Sequence, residues 1–283
     1  PVPEGHTIHR LARDHGEWFA GRKVHVASPQ GRFAAAAAQL DGRRLVATDA
    51  FGKHLFHRYD DGRSVHIHLG LFGKVFHHRL EPRTAPPPPR DTVRYRVHAN
   101  GRDGGHGIDL VGATACELLD EPQVDAIVAR LGPDPIRDDA DPERAWAALQ
   151  RRSVGIGRAL MDQAVLAGVG NVYRAEVLFV HGLHPEVPAR EVERATWDAM
   201  WATLVAWLRR GVKERRIVTM DPKELGKPRS RIRRAEATYV YHQAACRRCG
   251  TPVRRWDLAG RWAYACETCQ PPPRGSRTRR SRR

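Results

Sequence analysis

Four cysteines fall into two tight pairs late in the chain, Cys246-x2-Cys249 and Cys266-x2-Cys269, with sixteen residues between the pairs. Pairs at this spacing can present four thiolates to one tetrahedral cation, which leaves no position for water. So short a stretch holds little core of its own, and a bound ion adds the missing folding energy. The pattern predicts a structural site for one Zn2+ that folds a short hairpin, not a disulfide framework. Four unligated buried cysteines are the plainer reading, and the spacing argues against it. Cys116 stands alone and reads as a core residue. Between the two pairs lies Leu258-Ala259-Gly260-Arg261-Trp262, where a Gly-Arg at a hairpin tip would project one cation toward a phosphate.

Charge narrows the class of partner. The 48 Lys+Arg against 32 Asp+Glu give a net charge of +16, which points to a polyanion. Arg274, Arg277, Arg279, Arg280, Arg282 and Arg283 form a basic tail, expected to be disordered and to add salt-sensitive affinity for such a polyanion. Removing those six charges leaves +10, so the body is basic too. No apolar run reaches membrane-spanning length and no secretory pattern appears, so the expectation is a soluble, intracellular protein.

Periodicity divides the chain. Ile8, Leu11, His15, Trp18 and Phe19 recur at helical spacing, with Gly21 as a stop. From Lys23 to about Leu110 short alternating runs (Val24/Val26, Leu55/His57/Tyr59, Val65/Ile67/Leu69, Val93/Tyr95/Val97) are separated by turn residues, and predict an antiparallel sandwich or barrel. Pro86 to Pro89 reads as an exposed loop, and Ala34 to Ala38 as a small helix or a loop. After Gly112 the stretches 115–119, 123–131, 142–151, 157–164 and 172–179 all read helical. A long helix then runs over 192–210, with Trp197, Met200, Trp201, Leu204 and Leu208 on a core face. Between Arg209 and Arg234 eleven Lys/Arg stand against three acids.

Three further stretches carry chemistry. Pro1-Val2-Pro3-Glu4-Gly5 places a proline beside a carboxylate near an amino terminus. An α-amino group titrates at roughly 7.7–8.0 against about 10.4 for lysine, so much of it is a neutral nucleophile near pH 7. A secondary amine gives a permanently cationic imine, an electron sink, and the adjacent Glu can move the proton. The plainer reading is a frayed terminus. Next, Asp162-Gln163-Ala164-Val165-Leu166-Ala167-Gly168-Val169-Gly170-Asn171-Val172-Tyr173 sets a glycine turn before a helix, either to hold a phosphate or merely to cap the helix through Asn171. Last, Phe51-Gly52-Lys53-His54 leads into a strand, and Gly70-Leu71-Phe72-Gly73 is either a buried turn or an exposed apolar wedge for a base stack. His66, His68, His77 and His78 resemble a metal cluster, but strand alternation without an acid pair favours neutral polar or DNA-facing roles.

Taken in order, Pro-Glu, Gly-Lys-His, Asp-Gln-x3-Ala-Gly-x-Gly-Asn-x-Tyr and the four cysteines with Gly-Arg resemble the formamidopyrimidine-DNA glycosylase/endonuclease VIII family over Pro3 to Gln270. Pro3-Glu4-Gly5-His6-Thr7 resembles the endonuclease VIII branch. The resemblance implies an α+β multidomain protein. Its parts would be a catalytic β-sandwich with an N-terminal helix (1–120), a helix–two-turn–helix domain (121–235), a zinc finger (236–270) and a disordered basic tail (271–283). DNA would lie in a basic cleft between the halves.

The resemblance further implies a bifunctional glycosylase/AP lyase of base excision repair. It would act on double-stranded DNA with oxidised bases, chiefly pyrimidines, or abasic sites. It would be a monomer in the bacterial cytoplasm, associated with the nucleoid. The terminal proline would attack C1′ of a flipped nucleotide and Glu4 would protonate the sugar. Lys53 would contact a phosphate and assist β-elimination, while Arg261 would hold the lesion phosphate and assist δ-elimination. Leu71 and Phe72 would fill the vacated gap, and Asn171 and Arg130 would bind DNA. Two positions depart from the family pattern. The family nucleophile is residue one of the mature protein, so the expectation is that Pro3 is the nucleophile and the start shown is two residues too long. The wedge of the endonuclease VIII branch begins with glutamine, where this chain has Gly70, which bears on opposite-base preference. A non-enzymatic DNA clamp would not need Pro3, Glu4 and Lys53 together.

Overall fold

Helix α1 (Gly5–Phe19) puts Ile8, Leu11 and Phe19 on one buried face, as the spacing predicts. Each such side chain contributes about 1.5–3 kcal/mol on burial. The computed structural model describes residues 3–273. Residues 1–2 and the arginine tail from Arg274 onward lie outside the described residues. The chain divides into two compact units, Pro1–Arg130 and Leu131–Arg283.

In the first unit α1 is followed by β1 (Arg22–Lys23), β2 (His25–Ala27), α2 (Ala34–Leu40), β3 (Arg44–Phe51), β4 (His54–Tyr59) and β5 (Ser64–His68). Then come β6 (Lys74–Leu80), β7 (Val93–Gly101), β8 (Gly104–Val111), β9 (Ala115–Leu119) and α3 (Glu121–Val128). The strands make two antiparallel sheets, β1-β3-β4-β5-β9 and β2-β7-β8-β6. Leu45, Leu55, Val65 and Ile67 of one sheet share a core with Tyr95, Val97, Ile108 and Leu110 of the other and with α1. A buried polar thread runs through that core. His15 Nδ1 lies 2.9 Å from His57 Nε2, His57 Nδ1 lies 3.0 Å from the Tyr95 hydroxyl, and Tyr95 meets the Tyr59 hydroxyl at 2.8 Å. The chain of hydrogen bonds joins α1 to both sheets and satisfies groups that would otherwise be costly to bury.

Residues 115–119 are a strand and not a helix. Ala-Cys-Glu-Leu-Leu has helix-forming side chains, but its backbone pairs along β5, from His68↔Ala115 to Ser64↔Leu119. An open sheet edge offers a row of hydrogen bonds and a place for Cys116 in the core, and this outweighs local propensity.

The second unit is built on α4 (Pro142–Gln150), α5 (Ile156–Ala159), α6 (Asn171–Val180) and α7 (Arg194–Glu214), followed by the hairpin β10 (Arg254–Asp257) and β11 (Trp262–Ala265). Asp141 caps α4, accepting from the Glu143 and Arg144 amides at 2.9 and 3.3 Å. Trp197, Met200, Leu204 and Leu208 of α7 are fully buried in one core with Leu149, Ile156, Val169 and Val177. A separate apolar cluster holds the hairpin: Tyr264 and Cys266 pack with Tyr239, Val240 and Phe179 of α6. The basic stretch after α7 is more than a solvated face. Arg216 donates to the Ile232 and Arg229 carbonyls, Arg229 pairs with Glu214 at 2.8 Å, and Lys227 pairs with Glu236 at 2.6 Å.

Candidate functional site

In the first unit the predicted residues gather at one end of the five-stranded sheet. Helix α1 runs antiparallel along β3. The Gly21 amide donates to the Leu45 carbonyl at 2.8 Å, and the Thr48 hydroxyl donates to the Ala12 carbonyl at 2.5 Å. From Ala12 back to Glu4, and from Thr48 on to Gly52, helix rise and strand rise each cover roughly 12–13 Å. The start of α1 therefore emerges at the same sheet end as the two-residue turn Gly52-Lys53, which is closed by the pair Phe51↔His54. Glu4 is fully buried at the N-cap, and its carbonyl accepts from the Thr7 and Ile8 amides. Pro3 is half-buried directly before it.

Below this turn sits a layer of imidazoles. His54 Nδ1 lies 2.9 Å from His66 Nε2, the His54 and His68 rings are 4.9 Å apart, and His66 reaches Glu117 at 3.4 Å. Burial pushes the His54 pKa down to about 3, helped by His68, His66, Arg130 and Lys53 in that order. Burial also lowers His66 and His68. The layer is thus neutral near pH 7, and Arg130 and Lys53 act on one imidazole. The remaining two histidines of the suspected cluster are elsewhere. His77 pairs with His106 at 2.9 Å and stacks on Trp18, and His78 pairs with Asp109 at 2.8 Å.

The loop from Leu69 to Gly73 leaves the same sheet end, since His68 pairs with His54. Gly70 has φ +64, and a Cβ there would meet Thr114 Oγ1 at 1.9 Å. The Gly73 amide closes the loop on the Leu69 carbonyl at 2.9 Å. This tight turn expels the next side chains: Leu71 is 42% exposed and Phe72 81%. The apolar pair is a loop tip and not a buried turn.

In the second unit the glycine turn is held by Gln163. Its amide nitrogen donates to the Met161 and Val169 carbonyls, and its carbonyl oxygen accepts from Gly168. The cap of α6 is Gly170, so Asn171 is not the cap. The Asn171 side chain instead donates to the Trp262 carbonyl at 3.1 Å, which brings α6 to the hairpin. Arg261 is exposed in the turn joining β10 to β11. There the Leu258 amide donates to the Arg261 carbonyl at 2.8 Å, and Ala259 and Gly260 both have positive φ.

The sulfur atoms of Cys246, Cys249, Cys266 and Cys269 all lie within 4.8 Å of one another, and they are the one such metal-capable group among the described residues. Three of the sulfur–sulfur separations are 3.4, 3.6 and 3.9 Å. A tetrahedron with Zn–S bonds near 2.3 Å has edges of about 3.8 Å, so the four thiols fit a tetrahedral ion.

Two residues carry more than their sequence context indicated. Arg174, 1% exposed, donates to the Trp262 carbonyl at 2.8 Å, to the Gly157 carbonyl at 3.3 Å and to Asn171 Oδ1. Glu176, fully buried, accepts from the Tyr239, Val240 and Tyr241 amides and from the Thr219 hydroxyl. Burial raises its pKa, while those hydrogen bonds pull the other way. Together they fasten the chain before and within the cysteine hairpin to α6. The signal was present: two opposite charges inside the apolar helix Asn171–Val180 need buried partners.

Comparison with known proteins gives the family and the fold. Residues 2–109 match the family model described as formamidopyrimidine-DNA glycosylase N-terminal domain, and residues 131–221 match the formamidopyrimidine-DNA glycosylase H2TH domain. Endonuclease 8 1 of Mycobacterium tuberculosis is 44% identical over 95% of this chain and 100% of its own length. Formamidopyrimidine-DNA glycosylase of Thermomicrobium roseum is 33% identical over 83% of this chain and 84% of its own length. The fold of Lactococcus lactis formamidopyrimidine-DNA glycosylase, solved bound to DNA containing an abasic site, superposes with a TM-score of 0.72 at 21% identity, covering 95% of this chain and 100% of that one. With relatives of these names at 44% and 33% identity, the N-terminal sandwich, helical unit and four-cysteine hairpin are those of a DNA glycosylase. The chain belongs to the formamidopyrimidine-DNA glycosylase/endonuclease VIII family, in its endonuclease VIII-like branch. Among the described residues no helix is long and apolar enough to cross a membrane.

Proposed function

We propose that the protein is a bifunctional glycosylase and AP lyase of base excision repair. Its substrates are oxidised bases, pyrimidines first, and abasic sites in double-stranded DNA. The amine of Pro3, freed of the two residues before it, attacks C1′ of a flipped nucleotide. The C1′–N bond breaks, the base leaves, and a cationic iminium joins protein to sugar. Glu4 protonates the ring oxygen as the sugar opens. Loss of a C2′ proton then expels the 3′ phosphate, with Lys53 assisting, and Arg261 supports a second elimination at the 5′ side. Leu71 and Phe72, set by Gly70, fill the space the flipped base vacates. Arg130 and Asn171 contact the backbone. One structural Zn2+ on Cys246, Cys249, Cys266 and Cys269 stabilises the hairpin that carries Arg261. The protein works as a monomer in the bacterial cytoplasm, on nucleoid DNA.

The observation that carries this reading is the convergence of the start of α1, the Gly52-Lys53 turn and the exposed Leu71-Phe72 tip at one sheet end. The division of labour that goes with this reading is a catalytic portion over 1–120, a DNA-binding portion over 121–235 and a finger over 236–270.

Borohydride trapping on duplexes carrying thymine glycol, 8-oxoguanine or an abasic site tests it. The expected result is a covalent adduct on Pro3, strongest with thymine glycol and the abasic site. Glu4→Gln should still bind a stable abasic analogue but release base and cut strands at least a hundredfold more slowly. Tight DNA binding by the wild type with no adduct on any substrate would leave a DNA-binding clamp without lyase chemistry.

A further inference from the structure

Trp262 opens β11 and is 49% exposed, a large apolar residue beside the hairpin tip. It is held firmly from behind. Its carbonyl accepts from Asn171 Nδ2 at 3.1 Å and from the buried Arg174 at 2.8 Å. Four cysteine sulfurs close the base of the same hairpin. The register Asp257↔Trp262 and Arg255↔Tyr264 places these four side chains on one face of the two-stranded sheet. The Arg255 guanidinium carbon lies 4.5 Å from the centre of the Trp262 ring, a cation–π stack. Tyr264 backs Arg255 from the opposite strand, and its hydroxyl meets His242 Nε2 at 3.2 Å. With half the residue exposed and one ring face under a guanidinium, the indole is a preorganised flat surface next to a cation.

We propose that Trp262, oriented by Arg255, is a stacking platform for an unpaired nucleobase of bound DNA. The proposal rests on the DNA-binding reading above and adds a contact to it. Nucleobases suit this surface because every base has a π face, and stacking on a rigid aromatic is sequence-tolerant. Arg261, one residue earlier and exposed at the turn, supplies the phosphate contact that brings a base within reach. The net charge of +16 favours a polyanion over an apolar protein partner at the same surface. A base stacked here is read for its flatness and not its edges, so the site adds affinity for unstacked strand without selecting sequence.

The test is binding of a single-stranded oligonucleotide, and of a duplex with a stable abasic analogue, by zinc-loaded wild type, Trp262→Phe and Trp262→Leu. Phe keeps an aromatic face, whereas Leu keeps only apolar bulk. The expected result is near-wild-type single-strand affinity for Phe and a loss of about tenfold for Leu. The slope of log K against log salt should be unchanged in both, while Arg261→Ala lowers it by about one. Equal affinity in all three proteins would overturn the proposal, and so would an equal loss in Phe and Leu. A wild type that binds neither DNA would instead defeat the DNA-binding reading itself, so the two failures are distinct.

Discussion

At the scale of single residues, Gly70 shows how the exposed Leu71-Phe72 loop is specified. The family pattern expects glutamine there, but the backbone sits at φ +64 and a Cβ would press on Thr114 Oγ1 at 1.9 Å. Glycine and Thr114 fit each other, and a longer side chain fits neither the backbone nor the space. Gly70→Gln is expected to lower stability by about 2 kcal/mol in urea denaturation, from strained φ plus a steric clash. Thr114→Gly in the same chain should recover part of that and not all, because the strained φ remains. Unchanged stability in the single variant would contradict the geometry. Lys53 and Glu4 were legible as a lysine after a glycine and a carboxylate after a proline. That they share a sheet end was not, because it depends on the direction of α1 along β3.

At the scale of elements, the cysteine hairpin turns through Ala259 and Gly260, both at positive φ (54° and 77°). A type I′ turn takes this shape and favours Asn-Gly, since an alanine in the left-handed region costs about 1–2 kcal/mol. Ala259→Asn should therefore raise stability by about 0.5–1 kcal/mol, read as a higher midpoint in thermal unfolding of the zinc-loaded protein. A lower midpoint would mean the turn is not of this type. The hairpin itself was legible from cysteine spacing, and α7 from its apolar face. Strand β9 was not, because Ala-Cys-Glu-Leu-Leu carries no strand signal and becomes one only through pairing with β5. Arg174 and Glu176 show in the sequence that they need buried partners but not which, for a related reason. Their partners, the Trp262 carbonyl and the amides of Tyr239 to Tyr241, lie 63 to 88 positions away in the chain.

At the scale of the whole molecule, the buried histidines make stability depend on pH. Burial lowers His57 from 6.5 to about 3, and lowers His15 well below its ordinary value, aided by His57, Arg10 and His77. A group whose pKa is depressed by folding adds stability above its unfolded pKa and loses it as pH falls toward the folded value. The loss for His57 therefore runs from pH 6.5 down to about 3. His57 should cost about 2 kcal/mol by pH 5, and His15 adds a loss in the same direction. Urea midpoints at pH 7.5 and 5.0 check this, and His57→Gln should reduce the difference without abolishing it, since His15 and His54 remain; a flat profile in the wild type would contradict it. The amino-acid sequence by itself determined the division into strand-rich and helix-rich parts, the four-cysteine cluster, the basic body and the family, because periodicity, ligand spacing and ordered motifs are local and survive in one dimension. Only the tertiary structure decided that Leu71 and Phe72 are exposed, that 115–119 is a strand, that Gly170 and not Asn171 caps α6, and that Trp262 is held between Asn171 and Arg255. Each of these depends on which distant backbone or side chain occupies the neighbouring space, and packing settles that where spacing along the chain does not.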